Sequence, residues 1–105
     1  MIARQWTCFC PREQREGFLA HLQRTGVAET AAIPGCLGHQ VLERAEPGGS
    51  RIGLVTYWES MDAVRAYAGA DPEQARLYEG DEVFGIEPET RVLHWQVLEG
   101  RTPAF

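Results

Sequence analysis

Between Met1 and Phe9 apolar and polar positions alternate weakly, and Ile2, Trp6 and Phe9 give the segment the character of a β-strand. Pro11 then opens a helix, at a position where its missing N–H does no harm. Phe18, Leu19 and Leu22 form the buried stripe of that helix, with His21 at its edge and therefore expected to be partly exposed. Gly26 is a point of bending or interruption, after which "VAETAA" continues helically until "IPG", Ile33 to Gly35, ends the run.

A hairpin follows. "CLGHQVLERA", Cys36 to Ala45, alternates with Leu37, His39 and Val41 on one side, "EPGGS" marks a turn, and "RIGLVTYW", Arg51 to Trp58, returns. Almost no loop separates Trp58 from the next helix. Ser60 can accept from the backbone N–H groups that open it, and Asp62 adds negative charge to its first turn. Met61, Val64, Tyr67 and Ala68 recur at helical spacing, and Gly69 supplies a stop. Asp71 as cap and Pro72 as first helical residue predict a short extra helix over 71–78. "EGDEVFGIEPE" reads as irregular chain or a brief helical turn, Thr90 to Glu99 as a final strand, and residues 100–105 as a tail.

The order is β-α-β-β-α-β, which predicts an α+β, ferredoxin-like antiparallel sheet with the helices on one face. The other face is not the polar one that water requires. In the last strand Val92, His94, Gln96 and Leu98 alternate with Leu93, Trp95 and Val97; in the third, Ile52, Leu54 and Trp58 alternate with Val55 and Tyr57. A second apolar face needs a cover, and a second copy of the chain is the economical one, so a homodimer is expected.

Composition narrows the function classes. At 105 residues the chain is expected to form one domain over 1–99, followed by the tail. A net charge of −5 argues against non-specific binding to nucleic acid, which needs a basic stripe. No apolar run approaches the roughly 20 residues of a membrane span. Met1 to Cys10 holds one basic residue and no long apolar core, so no signal peptide is expected, and a cytoplasmic location follows. All ten basic residues are Arg, which excludes Schiff-base lysine chemistry. Cys8, Cys10 and Cys36 form an odd set unsuited to a disulfide framework, and "CFC" lacks the second cluster a zinc site needs, so no metal is expected. No catalytic triad or phosphate loop occurs.

The strand opening "MIAR-x-W", the "IPG" turn before the second strand, and a third strand ending "YWES" before "DAVRAYAG" resemble the antibiotic biosynthesis monooxygenase (ABM) domain family. The resemblance extends over roughly Met1 to Glu99. It implies a dimeric α+β barrel built from ferredoxin-like protomers. It does not fix a substrate, since such a family holds cofactor-independent oxygenases of aromatic polyketides, haem-degrading enzymes, quinol oxygenases and members without assigned activity.

The haem-degrading branch is marked by an Asn on the first strand, a Trp on the second helix and a ligating His on the following short helix. Laid against this chain, those places fall at Thr7, Tyr67 and Leu77, and leucine cannot ligate iron. The cofactor-independent branch asks less of the protein. An electron-rich phenol or quinol passes electrons to dioxygen once ionised, and the protein supplies an apolar pocket, a proton acceptor or hydrogen bond, and exclusion of water. The resemblance therefore implies a small aromatic substrate and no cofactor. Trp6, Thr7, Trp58, Tyr67, Leu77 and Trp95 are the candidate pocket residues, and His39, His94 or Tyr67 the candidates for proton handling. For each Trp and His the competing role is structural packing. The rival function is a non-catalytic small-molecule binder, or a stress-related dimer of the same fold.

Overall fold

The computed structural model describes residues 1–104. Strand β1 (Ile2–Pro11) leads through a 3₁₀ turn into α1 (Arg15–Leu22), a wide π turn at Gln23–Val27 and α2 (Ala28–Ala31). The hairpin β2 (Cys36–Glu46) and β3 (Gly49–Trp58) precedes α3 (Met61–Ala68), a 3₁₀ turn at Asp81–Phe84, and the short strands β4 (Glu87–Pro88) and β5 (Leu93–Gln96). The antiparallel sheet runs β2-β3-β1, and both β4 and β5 pair along the remaining edge of β1. This is the ferredoxin-like α+β arrangement.

The register sorts the strands into two faces. Ile2, Arg4, Trp6 and Cys8 stand opposite Trp58, Thr56, Leu54 and Ile52. These positions face the helices, where Cys8, Ile52 and Leu54 pack with Phe18, Leu22 and Val27, and Ile2 and Trp58 pack with Val64 and Tyr67. On the open face Leu42, Leu93 and Trp95 are each more than half exposed.

Local chemistry fixes the turns. Between β2 and β3, Pro47 presets φ and Gly48 takes φ +84°, the arrangement of a two-residue turn. Beyond it, a Cβ on Gly49 would stand 2.1 Å from the carbonyl of Cys10, so only glycine lets the hairpin lie this close to β1. The Trp58–Met61 junction is tight because Ser60 is extended and its hydroxyl accepts from the Ala63 N–H at 3.2 Å. Gly69, at φ +90°, ends α3 by donating to the Arg65 carbonyl at 2.9 Å. Trp58 is fully buried and stacks on Tyr67, ring centroids 5.4 Å apart, so the helix lies across the strand that precedes it.

The structure corrects three expectations. The helix expected over 71–78 does not form. Its carbonyls are taken from outside: Glu73 accepts from the Val92 N–H and Gln74 bridges Arg91, while the Arg4 guanidinium donates to the carbonyls of Pro72 and Gln74. A helix of two turns has too little stability of its own to resist this. His21 is buried, 8% exposed, because the Asp81–Phe84 turn folds over it and brings Asp81 to 2.7 Å and Phe84 into ring contact at 5.1 Å. The final strand is shorter than Thr90–Glu99, with its ladder confined to Leu93–Gln96. Residues 100–104 of the tail are irregular, and Phe105 lies outside the described residues. Among the described residues no helix is long and apolar enough to cross a membrane.

Ser60→Ala is expected to lower the unfolding free energy by about 1 kcal/mol, and Ser60→Gly by only a few tenths. Urea melts of the three proteins check this, and an alanine variant as stable as the parent would show that the cap contributes nothing.

Candidate functional site

Three elements meet over the helix-facing side of β1 and β3: the wide turn after α1, the inner face of α3, and the irregular chain at 76–81. They enclose a cavity of about 40 Å³ lined by Arg4, Trp6, Leu54, Tyr67, Arg76 and Tyr78, among others. Since one water needs only about 10–15 Å³ measured this way, the space holds a few waters and not an aromatic ring.

Two phenols meet at its wall. The hydroxyls of Tyr67 and Tyr78 are 2.6 Å apart. One donates to the other, which uses one of two O–H protons and leaves the second for an occupant of the cavity. Burial raises both phenols above their ordinary value, and for Tyr78 the hydrogen bond with Tyr67 adds to the rise. At neutral pH both are therefore un-ionised donors. Tyr78 is itself anchored, because its N–H donates to Oδ2 of Asp81 at 2.9 Å while Oδ1 of the same carboxylate holds His21.

Arg4 is only 5% exposed. Its Nη1 donates to the Pro72 carbonyl and to Nε2 of His94 at 3.0 Å, and its Nη2 donates to the Gln74 carbonyl at 3.1 Å. Burial lowers its pKa, yet a guanidinium keeps its charge at any ordinary pH. Because Arg4 can only donate, Nε2 of His94 must accept, which places the imidazole proton on Nδ1. Arg76 lies 5.3 Å from the Tyr67 ring centroid and 5.8 Å from that of Tyr78, with Glu29 at 2.8 Å as its ion partner. Two cationic side chains thus lie within cation–π distance of Tyr67, since Arg4 is also 5.7 Å from its ring.

The structure gathers some of the residues singled out from the sequence and scatters others. Trp6 and Tyr67 line the cavity, Trp58 backs Tyr67, and His94 reaches the cavity wall through Arg4. Thr7 stands opposite Gly53 on the other face of the sheet. Trp95 is on that face too, 57% exposed, with its indole N–H donating to Gln5 at 3.1 Å. Leu77 is 47% exposed. His39 is exposed on β2 and borders a separate open hollow of about 710 Å³, between the sheet and residues 97–103. Sequence reasoning missed Arg4, Arg76, Tyr78 and Asp81. For Arg4 a signal existed: it interrupts the apolar series Ile2, Trp6, Cys8 on the helix-facing side of β1.

The thiols take no part in the cavity. Burial, with Cys10 adjacent, pushes the Cys8 thiol up to about 12, so it is not a nucleophile at neutral pH. Among the described residues no group of three His, Cys, Asp or Glu is placed to hold a metal ion.

A ferredoxin-like sheet with a hydroxyl-lined cavity beneath its helices defines the class of the molecule. The chain belongs to the antibiotic biosynthesis monooxygenase family, whose model matches residues 1–75. No curated protein matches it at a significant level. Among solved structures it is similar to the monooxygenase ActVA-Orf6 of Streptomyces coelicolor, determined in complex with nanaomycin D. That likeness has 23% identity, 98% of this chain and 92% of the other covered, and a TM-score of 0.61. It is similar to a putative antibiotic biosynthesis monooxygenase from Deinococcus radiodurans at 12% identity, with all of both chains covered and a TM-score of 0.62. It is also similar to the heme-degrader MhuD of Mycobacterium tuberculosis, determined with two hemes in its active site, at 19% identity, with 97% and 100% covered and a TM-score of 0.60. At these identities the likenesses establish the fold.

The Arg4–His94 contact carries a pH signature. Burial, and then the charge of Arg4, hold the imidazole of His94 below its ordinary 6.5. Unfolded, it takes up a proton near pH 6.5, whereas folded it does so only at lower pH. The unfolded chain therefore binds more protons between those two values, and stability rises with pH across that window. The contribution is complete above about pH 6.5 and lost as pH falls through the folded pKa. His94→Gln is expected to flatten the slope of unfolding free energy against pH just below 6.5. Parallel slopes for the two proteins would overturn this assignment.

Proposed function

We propose that the chain is a cofactor-independent monooxygenase of a small phenolic or quinol-type aromatic, working in the cavity between helices and sheet. The observation that carries this reading is the Tyr67–Tyr78 pair, which keeps one O–H proton for an occupant in a space walled by Trp6 and Leu54 and flanked by the charge of Arg4. Such a site stabilises an oxyanion. Neutral phenols donate to it, the guanidinium supplies positive charge where little water screens it, and no group of the protein need change its redox state. The net reaction is a four-electron oxidation of the substrate, in which a CH₂ or equivalent carbon becomes C=O. One atom of dioxygen enters the product and the other leaves as water. Two imidazoles touch residues of the wall, His21 through Asp81 and His94 through Arg4, and the lone pair of His94 is occupied by Arg4 unless that contact opens.

A ring does not fit the cavity in its present state, so binding requires displacement of the irregular segment that carries Arg76 and Tyr78. The same small volume favours the second, non-catalytic reading, above all a stress-related dimer of the same fold whose pocket is closed. Oxygen uptake with dihydroxynaphthalenes, anthrones and quinols separates the two. The expected result is uptake with at least one of them, reduced at least tenfold in Tyr67→Phe, whose folding should stay within about 1 kcal/mol of the parent. No uptake with any compound would leave the non-catalytic reading in its place. Haem belongs in the same panel as the control expected not to bind, because Leu77 stands where the resemblance puts a ligating His; a stoichiometric haem complex would overturn that.

The homodimer is also part of this proposal. Leu42, Leu93 and Trp95 are large apolar side chains exposed on the open face, more than water-facing sheets ordinarily carry. Sedimentation is expected to give about twice the 11.8 kDa chain mass. Trp95→Glu should shift the particle toward monomer, and a monomer in the parent at micromolar concentration would exclude the assembly.

A further inference from the structure

We propose that the cavity recognises an anionic oxygen on its ligand, with Arg4 as the receptor, so that the ligand class is an aromatic acid or phenolate and not a neutral ring. The inference rests on the reading above that this cavity is the ligand site.

The argument is one of uncompensated charge. Arg4 is buried and lines the cavity, yet among the described residues no carboxylate lies within ion-pair distance of it. Its three contacts are two backbone carbonyls and one imidazole nitrogen, all neutral acceptors, and they leave two of its five N–H donors free of protein partners among the described residues. The acids nearby are already engaged. Glu29 pairs with Arg76, and Asp81 accepts from His21 and from the backbone of Tyr78. A buried cation held only by neutral groups is an expensive arrangement for stability alone. An anion entering beside it would add ion-pair attraction that the neutral acceptors now holding the guanidinium cannot supply. The remaining O–H proton of the Tyr67–Tyr78 pair lines the same space and adds a neutral donor for the same oxygen. The chain as a whole carries −5, so this interior positive spot is not a by-product of a basic protein.

The test is equilibrium binding to the intact chain, without turnover. Three probes of similar size are compared by calorimetry at pH 8: 2-naphthoate, the ionised form of 4-nitro-1-naphthol, and neutral 2-naphthalenemethanol. At least one anion is expected to bind tenfold or more tighter than the alcohol, and which anion does so distinguishes carboxylate from phenolate recognition. Arg4→Gln is expected to remove the preference, while Arg101→Gln, in the open hollow on the other face, is expected to keep it. Should Arg4→Gln not fold, the arginine Nε–Hε NMR signals of the unmodified protein replace it, and the Arg4 signal is expected to move with the anion and not with the alcohol. Equal binding of all three probes, preference for the alcohol, no binding, or a preference abolished by Arg101→Gln would each overturn the proposal. Anion preference without oxygen uptake would leave it standing and remove the monooxygenase reading alone.

Discussion

A guanidinium placed beneath the helices must find hydrogen-bond partners where water does not reach, and much of the molecule is arranged around that requirement at Arg4. Its donors draw β5 in through His94 and fix the chain at Pro72 and Gln74 against β1. Those carbonyls are then no longer free to build a helix, so the chain continues irregularly and delivers Arg76 and Tyr78 over Tyr67. The roof of the cavity is thus a consequence of one charged residue in its floor. The same residue sets the tautomer of His94 and, after burial, is the second cause that lowers its affinity for a proton, so that loop conformation and titration both depend on it.

The fold was largely legible because its signals are local. Alternation marks the strands, Pro47-Gly48 the hairpin, and Ser60 with Gly69 the limits of α3; each acts within a few residues of itself. The site was legible only where a residue sits on a regular element with clear periodicity, as Trp6, Trp58 and Tyr67 do. Tyr78, Arg76 and Asp81 belong to a stretch whose shape is dictated by partners some 70 residues away in sequence, and no local pattern encodes that. Asp71 and Pro72 illustrate the conflict. Their capping chemistry favours a helix, but the long-range claims of Arg4 and Val92 on the same carbonyls prevail. His21 was misjudged for a related reason: the turn that buries it is distant in the chain and irregular.

The two faces of the sheet divide the work. The helix-facing side carries buried charge and hydroxyls among apolar walls, conditions that strengthen every electrostatic interaction made there. The open side carries exposed Leu and Trp with scattered amides, such as Gln5 beneath Trp95 and Gln40 bonded to Tyr57 at 2.7 Å. Because successive strand residues point oppositely, Gln5 and Trp6 serve these two environments from adjacent positions, and any slip of register would exchange them.

The wide turn at Gln23–Val27 has a consequence of phase. At about 100° per residue, Thr30 in an unbroken α-helix would stand about 120° around the axis from Phe18; one extra residue in the turn reduces that to about 20°. Val27 is moved from nearly the opposite side to the flank of the same stripe. Both are buried, and the Thr30 hydroxyl donates to the Gly26 carbonyl at 2.8 Å within the turn itself. The turn therefore acts as an angular offset between two half-helices, and a relative one residue shorter here would differ less in length than in which side chains its second half aims at the cavity.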